Sequence, residues 1–210
     1  VGGVINVHIL AVFVPTFLFV SLTPGMCMTL SMTMGMTIGV RRTLWMMWGE
    51  LFGVAVVSVA AVIGVATVML KYPALFKVLK MAGGAYLLYL GVQMWLSRGK
   101  MSIDVGVKTA MDLPASALAL QGFVTAVANP KAWAFMVSLL PPFILPDRPL
   151  VPQLAILLVV ILLIEFFSLV LYAGGGSTLR HFLQKGANVR MVNRIAGTLM
   201  MGVGVWLATG

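Results

Sequence analysis

Val7 to Gly39 is a run of 33 residues without a lysine, arginine, aspartate or glutamate. As one straight helix such a run would reach roughly 50 Å, against a hydrocarbon core of roughly 30 Å. It must bend, tilt steeply or break, and Thr23-Pro24-Gly25 marks the place, a proline followed by a residue that tolerates any backbone angle. A second apolar run, about Ala115 to Phe143, carries Asn129-Pro130-Lys131 near its middle. Proline donates no backbone hydrogen bond and obstructs the carbonyl four residues earlier. Lysine in a bilayer core costs roughly 2.5 to 3.5 kcal/mol on insertion scales, so it is paired, turned inward or placed beside water.

Composition fixes the solvent. Of 210 residues 61% are hydrophobic and 9% charged, where a soluble domain has roughly a quarter charged. The expected class is an all-α integral membrane protein, one transmembrane domain over 1-210. The net charge of +9 raises nucleic acid as a partner, but most basic residues lie in short connections between apolar runs, the positive-inside pattern, and that partner is excluded. A single cysteine, Cys27, excludes an internal disulfide and two-thiol redox chemistry. It reads as a small apolar residue. No separate signal peptide is expected ahead of the first run.

Six spans follow: Val7 to Gly39, Leu44 to Leu70, Val78 to Leu96, Ala115 to Phe143 ending at Pro141-Pro142, Val151 to Ala173, and a short Ile195 to Ala208. The fifth is expected to stop at Gly174-Gly175-Gly176-Ser177. Connections then alternate sides. Lys and Arg number nine in the set 41 to 42, 98 to 108 and 180 to 194, against four in 71 to 80 and 147 to 148. The richer set is cytoplasmic, and both termini are outside.

Pro24 and Pro130 are 106 residues apart, and Lys80-Met81-Ala82-Gly83 and Arg194-Ile195-Ala196-Gly197 are 114 apart. These matches suggest two inverted three-helix repeats, about 7-97 and 114-208, with broken helices 1 and 4. Interrupted helices at corresponding positions of inverted halves are the best sequence pointer to a transporter binding site. A break leaves amides at one half-helix end and carbonyls at the other, which suit an anionic and a cationic group. A zwitterion such as an amino acid offers both. Glu50 and Glu165 do not join the repeat: each is expected roughly 11 Å from a span end, as independent cytoplasmic-side carboxylates.

Thr23-Pro24-Gly25, Gly39-Val40-Arg41-Arg42, Gly49-Glu50-Leu51-Phe52-Gly53, the Lys80 to Gly91 segment with its Gly-Ala-Tyr-Leu, and Asn129-Pro130-Lys131-Ala132 stand in this order. With them the chain resembles the lysine exporter (LysE/RhtB) family over nearly its whole length. Two departures are Met26, where the family has a second proline that sharpens the kink, and Pro141-Pro142-Phe143, where it has Pro-Gln-Phe. The resemblance implies a proton-motive-force-driven amino-acid exporter of the bacterial inner membrane, often a homodimer, without a cofactor.

The residues carry two readings each. Lys131 either snorkels to an interface or serves a site beside the break. Asn129 caps the second half-helix or contacts substrate. Glu50 and Glu165, costly when charged and unpaired, are proton-coupling candidates or structural partners of Lys131 or a connection arginine. Thr23, Pro24, Gly25 and Pro130 complete the candidate translocation site. Tyr86, Tyr89 and Trp95 read as packing and interface anchors. His8, His181 and Cys27 form no metal constellation. The expected function is export of amino acids or related small zwitterions by proton antiport. The rival is a passive channel or ion-efflux pore built on the same breaks; an enzyme lacks a nucleophile and base, so none is expected.

Overall fold

The structure, a computed structural model, describes residues 7–96, 113–140, 143–145, 147–184 and 186–209. Among them the regular elements are eight α-helices: α1 Val7–Leu22, α2 Met26–Ile38, α3 Val40–Lys71, α4 Pro73–Leu96, α5 Ala115–Val127, α6 Pro130–Leu139, α7 Leu150–Gln184 and α8 Gly186–Thr209. The connection with Arg98, Lys100, Asp104, Lys108 and Asp112, and Pro141, Pro142, Pro146 and Lys185, lie outside the described residues. By length and composition Val40–Gly64 and Leu150–Gly176 suffice to cross a membrane. Leu10–Leu22 and Met26–Ile38, bent by 56° at their break, make a third crossing if counted together. Met26 in place of a second proline therefore leaves a sharp bend.

One helix end is as expected and one differs. The span-length part of α7 ends at the glycine cluster, where Gly176, with a φ of 43° that is open to glycine and costly for other residues, breaks the helix before a further helical segment runs on to Gln184. The last helix begins at Gly186, not near Ile195, because Arg190 and Arg194 do not end it. They lie on its exposed face, opposite buried Val189, Asn193, Ala196 and Met200 at helical spacing.

Three helix pairs set the architecture, and small residues set their distance. Beside α7, α2 places the Ser31 hydroxyl on the Leu169 carbonyl at 2.8 Å and Gly35 against Ala173, so the two run in the same direction. A Cβ on Gly49 would lie 1.8 Å from the Ala119 carbonyl oxygen and one on Gly53 2.7 Å from the Ala126 Cβ, so α3 and α5 also run in the same direction. Opposite directions hold for α4 and α8: Gly91 faces Gly197, and seven residues earlier Gly84 faces Gly204.

The interior is two apolar cores with a polar layer between them. One core gathers Phe13, Phe17, Val57, Phe143 and Ile161 on the α1 side of the first break. The other gathers Leu30, Met32, Met47, Leu118 and Leu169 on the α2 side. Glu50 falls between Met47 and Val54 of α3, and Glu165 between Ile161 and Leu169 of α7, so both lie level with the breaks. Both are deeper than the roughly 11 Å expected, while remaining nearer the Val40 and Gly176 ends of their helices. Because α3 begins at Val40 and the apolar part of α7 reaches Gly176, each carboxyl is ten or eleven residues from its helix end. That is about 15 Å, half a hydrocarbon thickness.

The glycine contacts are testable. Gly49→Val drives a side chain into the α5 backbone and is expected to cost about 1 to 3 kcal/mol. Gly64→Ala on the same helix meets nothing within 4 Å and should leave stability unchanged or slightly raised. Thermal unfolding of the two variants in detergent reads the difference.

Candidate functional site at the helix breaks

A helix that stops leaves its last carbonyls without partners. At the end of α1 the Phe19 carbonyl accepts from the Thr23 hydroxyl at 2.8 Å, and the Leu22 carbonyl accepts from the Tyr172 hydroxyl at 2.7 Å. The Val20 and Thr23 carbonyls accept from the Lys131 ammonium at 3.4 and 3.5 Å. Pro24 and extended Gly25 carry the chain across, and α2 starts without a side-chain cap.

The second break is capped from its own sequence. The Asn129 side-chain oxygen accepts from the Lys131 backbone amide at 3.0 Å, with Pro130 at the start of α6, where its missing amide hydrogen costs nothing. Asn129 therefore is a cap. Its amide nitrogen is left over, and donates to the Cys27 sulfur at 3.3 Å. Cys27, read from the sequence as a small apolar residue, is thus a link between α2 and the second break.

These ties bring both breaks onto one cavity of about 60 Å³. A water needs about 10 to 15 Å³ of such space, so it holds about four waters, or the head of a small organic ion. Thr23, Gly25, Asn129, Lys131 and Glu165 line it, with Ser21 and Cys27. The rest of the wall is apolar: Phe17, Val20, Val54, Phe135 and Met136. Lys131 is half-buried and its ammonium also lies 5.6 Å from the centre of the Phe135 ring, within cation–π range. Glu165 is buried, and accepts from the Ser21 hydroxyl at 2.6 Å.

Glu50 sits apart. It is fully buried on α3, one turn before the lining residue Val54, and is not itself part of the cavity wall. Neither of its oxygens meets a hydrogen-bond partner in ordinary geometry, although the Cys27 thiol is close enough to feel its charge. Of the sequence candidates, Thr23, Gly25, Asn129, Lys131 and Glu165 come together, with Pro24 and Pro130 in the turns that shape them. Ser21, Cys27 and Tyr172 were missed. Ser21 and Cys27 had a signal: polar or polarizable residues within three positions of the Pro24 break. Tyr172 had none, because only tertiary packing carries α7 to the end of α1. Tyr86 and Tyr89 are exposed on α4 beside each other, and Trp95 lies under the Arg194 guanidinium, 4.7 Å from the ring centre.

A helical membrane protein whose interrupted helices meet around an internal polar cavity has the build of a translocator. Residues 18–210 match the family described as LysE type translocator, and the chain belongs to that family. Among its relatives, an uncharacterized membrane protein of Vibrio cholerae is 28% identical over 97% of this chain and 98% of its own length. The homoserine/homoserine lactone efflux protein of Salmonella typhimurium is 27% identical over 92% and 93%. The leucine efflux protein of Klebsiella pneumoniae is 30% identical over 91% and 90%. No solved structure gives a significant match.

Asn129 allows its two bonds to be separated. Asn129→Ala loses both and is expected to cost about 1 kcal/mol for the cap alone. Asn129→Ser retains a capping oxygen and loses the donor to Cys27, so it should recover most of that stability. Thermal unfolding of purified protein compares the two.

Proposed function

We propose that this chain exports amino acids, or related small zwitterions, across the bacterial inner membrane in exchange for entering protons. One observation carries the reading: both helix breaks open onto a single cavity whose wall holds one basic and one acidic side chain, Lys131 and Glu165. A zwitterion brings one charge of each sign to that wall, and leaves neither it nor the ligand with a bare charge in a low-dielectric layer. The efflux activities named for the relatives agree in direction and in substrate type.

The architecture that fits is six crossings in two inverted halves. Counting α1 with α2 as the first, α3 and α4 as the second and third, α5 with α6 as the fourth, and α7 and α8 as the fifth and sixth, alternate crossings reverse direction. First and fifth should then agree, second and fourth should agree, and third and sixth should oppose. The three packed pairs have those directions. The facing glycines of α4 and α8 support the inversion: moving 113 residues along the chain takes Gly84 to Gly197 and Gly91 to Gly204, and so exchanges one contact for the other. The excess of Lys and Arg in and beside the connections after the first, third and fifth crossings, with Arg41, Arg42, Arg180, Arg190 and Arg194 on the adjoining helices, supports a cytoplasmic side for those.

Coupling rests on the two carboxyls in the polar layer. Glu50, buried without partners, is suited to carry a proton, because a bare carboxylate is costly there. Glu165 lines the cavity, where a proton and the substrate's ammonium compete for its carboxylate. A proton moving into a negative interior gains roughly 2.3 kcal/mol per 100 mV, which sustains about a 40-fold outward concentration ratio per proton.

Purified protein in sealed vesicles with an imposed proton gradient should accumulate amino acid against its concentration, and a protonophore should abolish the accumulation. Flow that only equalises concentrations would instead indicate a channel. Lys131→Met is expected to reduce transport by at least ~10-fold while the protein stays folded. Full uphill export by that variant would return Lys131 to a purely structural role. Glu50→Gln should uncouple transport from the proton gradient but leave downhill exchange.

A further inference from the structure

The cavity also distinguishes among amino acids. Resting on the export reading above, we infer that the substrate is an amino acid with an uncharged, apolar side chain, its head filling the cavity with the carboxylate on Lys131 and the ammonium toward Glu165, and its side chain parting Phe17, Val54, Phe135 and Met136 beyond the head. The charged groups of the wall suit the head of an amino acid, and the other polar side chains of the wall are already engaged: Thr23 on the Phe19 carbonyl, Asn129 on Cys27 and the Lys131 amide, and Ser21 on Glu165. Lys131 is the basic residue, Glu165 the acidic one, and the carbonyls of Val20 and Thr23 at the end of α1 are the acceptors that Lys131 now occupies. When the ligand carboxylate draws the Lys131 ammonium toward itself, those carbonyls become available to the ligand ammonium, beside Glu165 and Ser21.

Apart from Thr23, Cys27 and Asn129, what remains of the wall is carbon and methionine sulfur. Phe17, Val54, Phe135 and Met136 belong to or border the α1-side core, and each is nearly or fully buried. A side chain placed there exchanges contact with water for contact with apolar surface, which favours binding in proportion to its area. A lysine or arginine side chain would put a second positive charge among these residues. Glu50 is the remaining acidic residue of the polar layer, but it stands behind Val54 and Cys27, outside the wall. The uncompensated charge costs a basic amino acid about 100-fold relative to an apolar one. A polar but neutral side chain lies between the two.

The test is counterflow of labelled leucine in vesicles containing the purified chain, with unlabelled competitors. Methionine should compete within a few-fold of leucine, and lysine about 100-fold more weakly. Leucinamide, which lacks the carboxylate, and 4-methylpentanoate, which lacks the ammonium, should each lose at least ~10-fold. Val54→Asp supplies a carboxylate in the side-chain region and should admit lysine; Phe135→Glu does the same from α6 should the first variant not fold. Lysine competing as well as leucine in the unaltered protein would overturn the inference and leave export standing. Lysine counterflow that disappears in Glu50→Gln would overturn it too, by making Glu50 the end of the side-chain pocket. Absence of counterflow for every amino acid, in a folded protein, would overturn the export reading itself.

Discussion

A peptide group without a hydrogen bond costs several kcal/mol inside a bilayer, and a helix that stops there exposes carbonyls at one end and amides at the next. Both stops of this chain are made by proline, which acts locally and admits no repair from its own ring. Repair comes from other elements. Tyr172 of α7 and Lys131 of α6 satisfy α1, and Asn129 closes α6 while reaching Cys27 on α2. The first break is thus held by residues of the second, and the second is tied back to the first, so neither can be placed without the other. A cavity at their meeting point follows, because two bent backbones cannot pack as closely as two straight ones.

The polar layer between the two apolar cores has the same origin. Backbone polarity at the breaks would be stranded in hydrocarbon unless neighbouring helices brought polar side chains to the same level. The two long helices that flank them do so, α3 with Glu50 and α7 with Glu165 and Ser168. Between their polar ends, the rest of those helices is mostly apolar or small. Their closest contacts use glycine, Gly49 and Gly53 toward α5 and Gly35 of α2 toward Ala173, so that rigid walls surround the polar layer. Tight packing away from the site is what allows loose packing within it.

Much of this was legible in the sequence because the signals act over a few residues. Proline followed by glycine, or preceded by asparagine, marks each break, and the asparagine offered a cap as one of its two readings. Tertiary facts were not legible. The depth of Glu50 and Glu165 was underestimated because it was counted from span ends, and those ends lie further out: α3 begins four residues before Leu44, and the apolar part of α7 runs three residues past Ala173 to the break at Gly176. Cys27 could not be given a partner, since its neighbour Asn129 is 102 residues away. The glycine pair at 49 and 53 was a weak signal because such pairs are common in membrane helices. Only the facing Ala119 and Ala126 show that here it governs a contact. The start of α8 was misplaced for a different reason, that two arginines suggest a connection until the buried stripe opposite them is known.

The glycines of α4 and α8 face each other in like pairs, yet the two breaks differ, and that difference fits the proposed binding mode. Tyr172 and Thr23 hold the α1 carbonyls by short bonds of 2.7 and 2.8 Å, whereas Lys131 holds its two at 3.4 and 3.5 Å, beyond the usual range for an amine donor. A carboxylate offers the same ammonium shorter, charge-assisted bonds. It therefore displaces the weakest of the repairs and leaves the strong ones in place. Moving Lys131 away alone would strand the Thr23 carbonyl and leave the Val20 carbonyl only the Thr23 amide at 3.2 Å, so an anion without an ammonium gains one contact by uncovering another. A cation without a carboxylate finds the carbonyls already taken. A zwitterion avoids both costs, since its ammonium replaces the one that its carboxylate withdraws, and the bent end of α1 keeps its partners throughout the exchange.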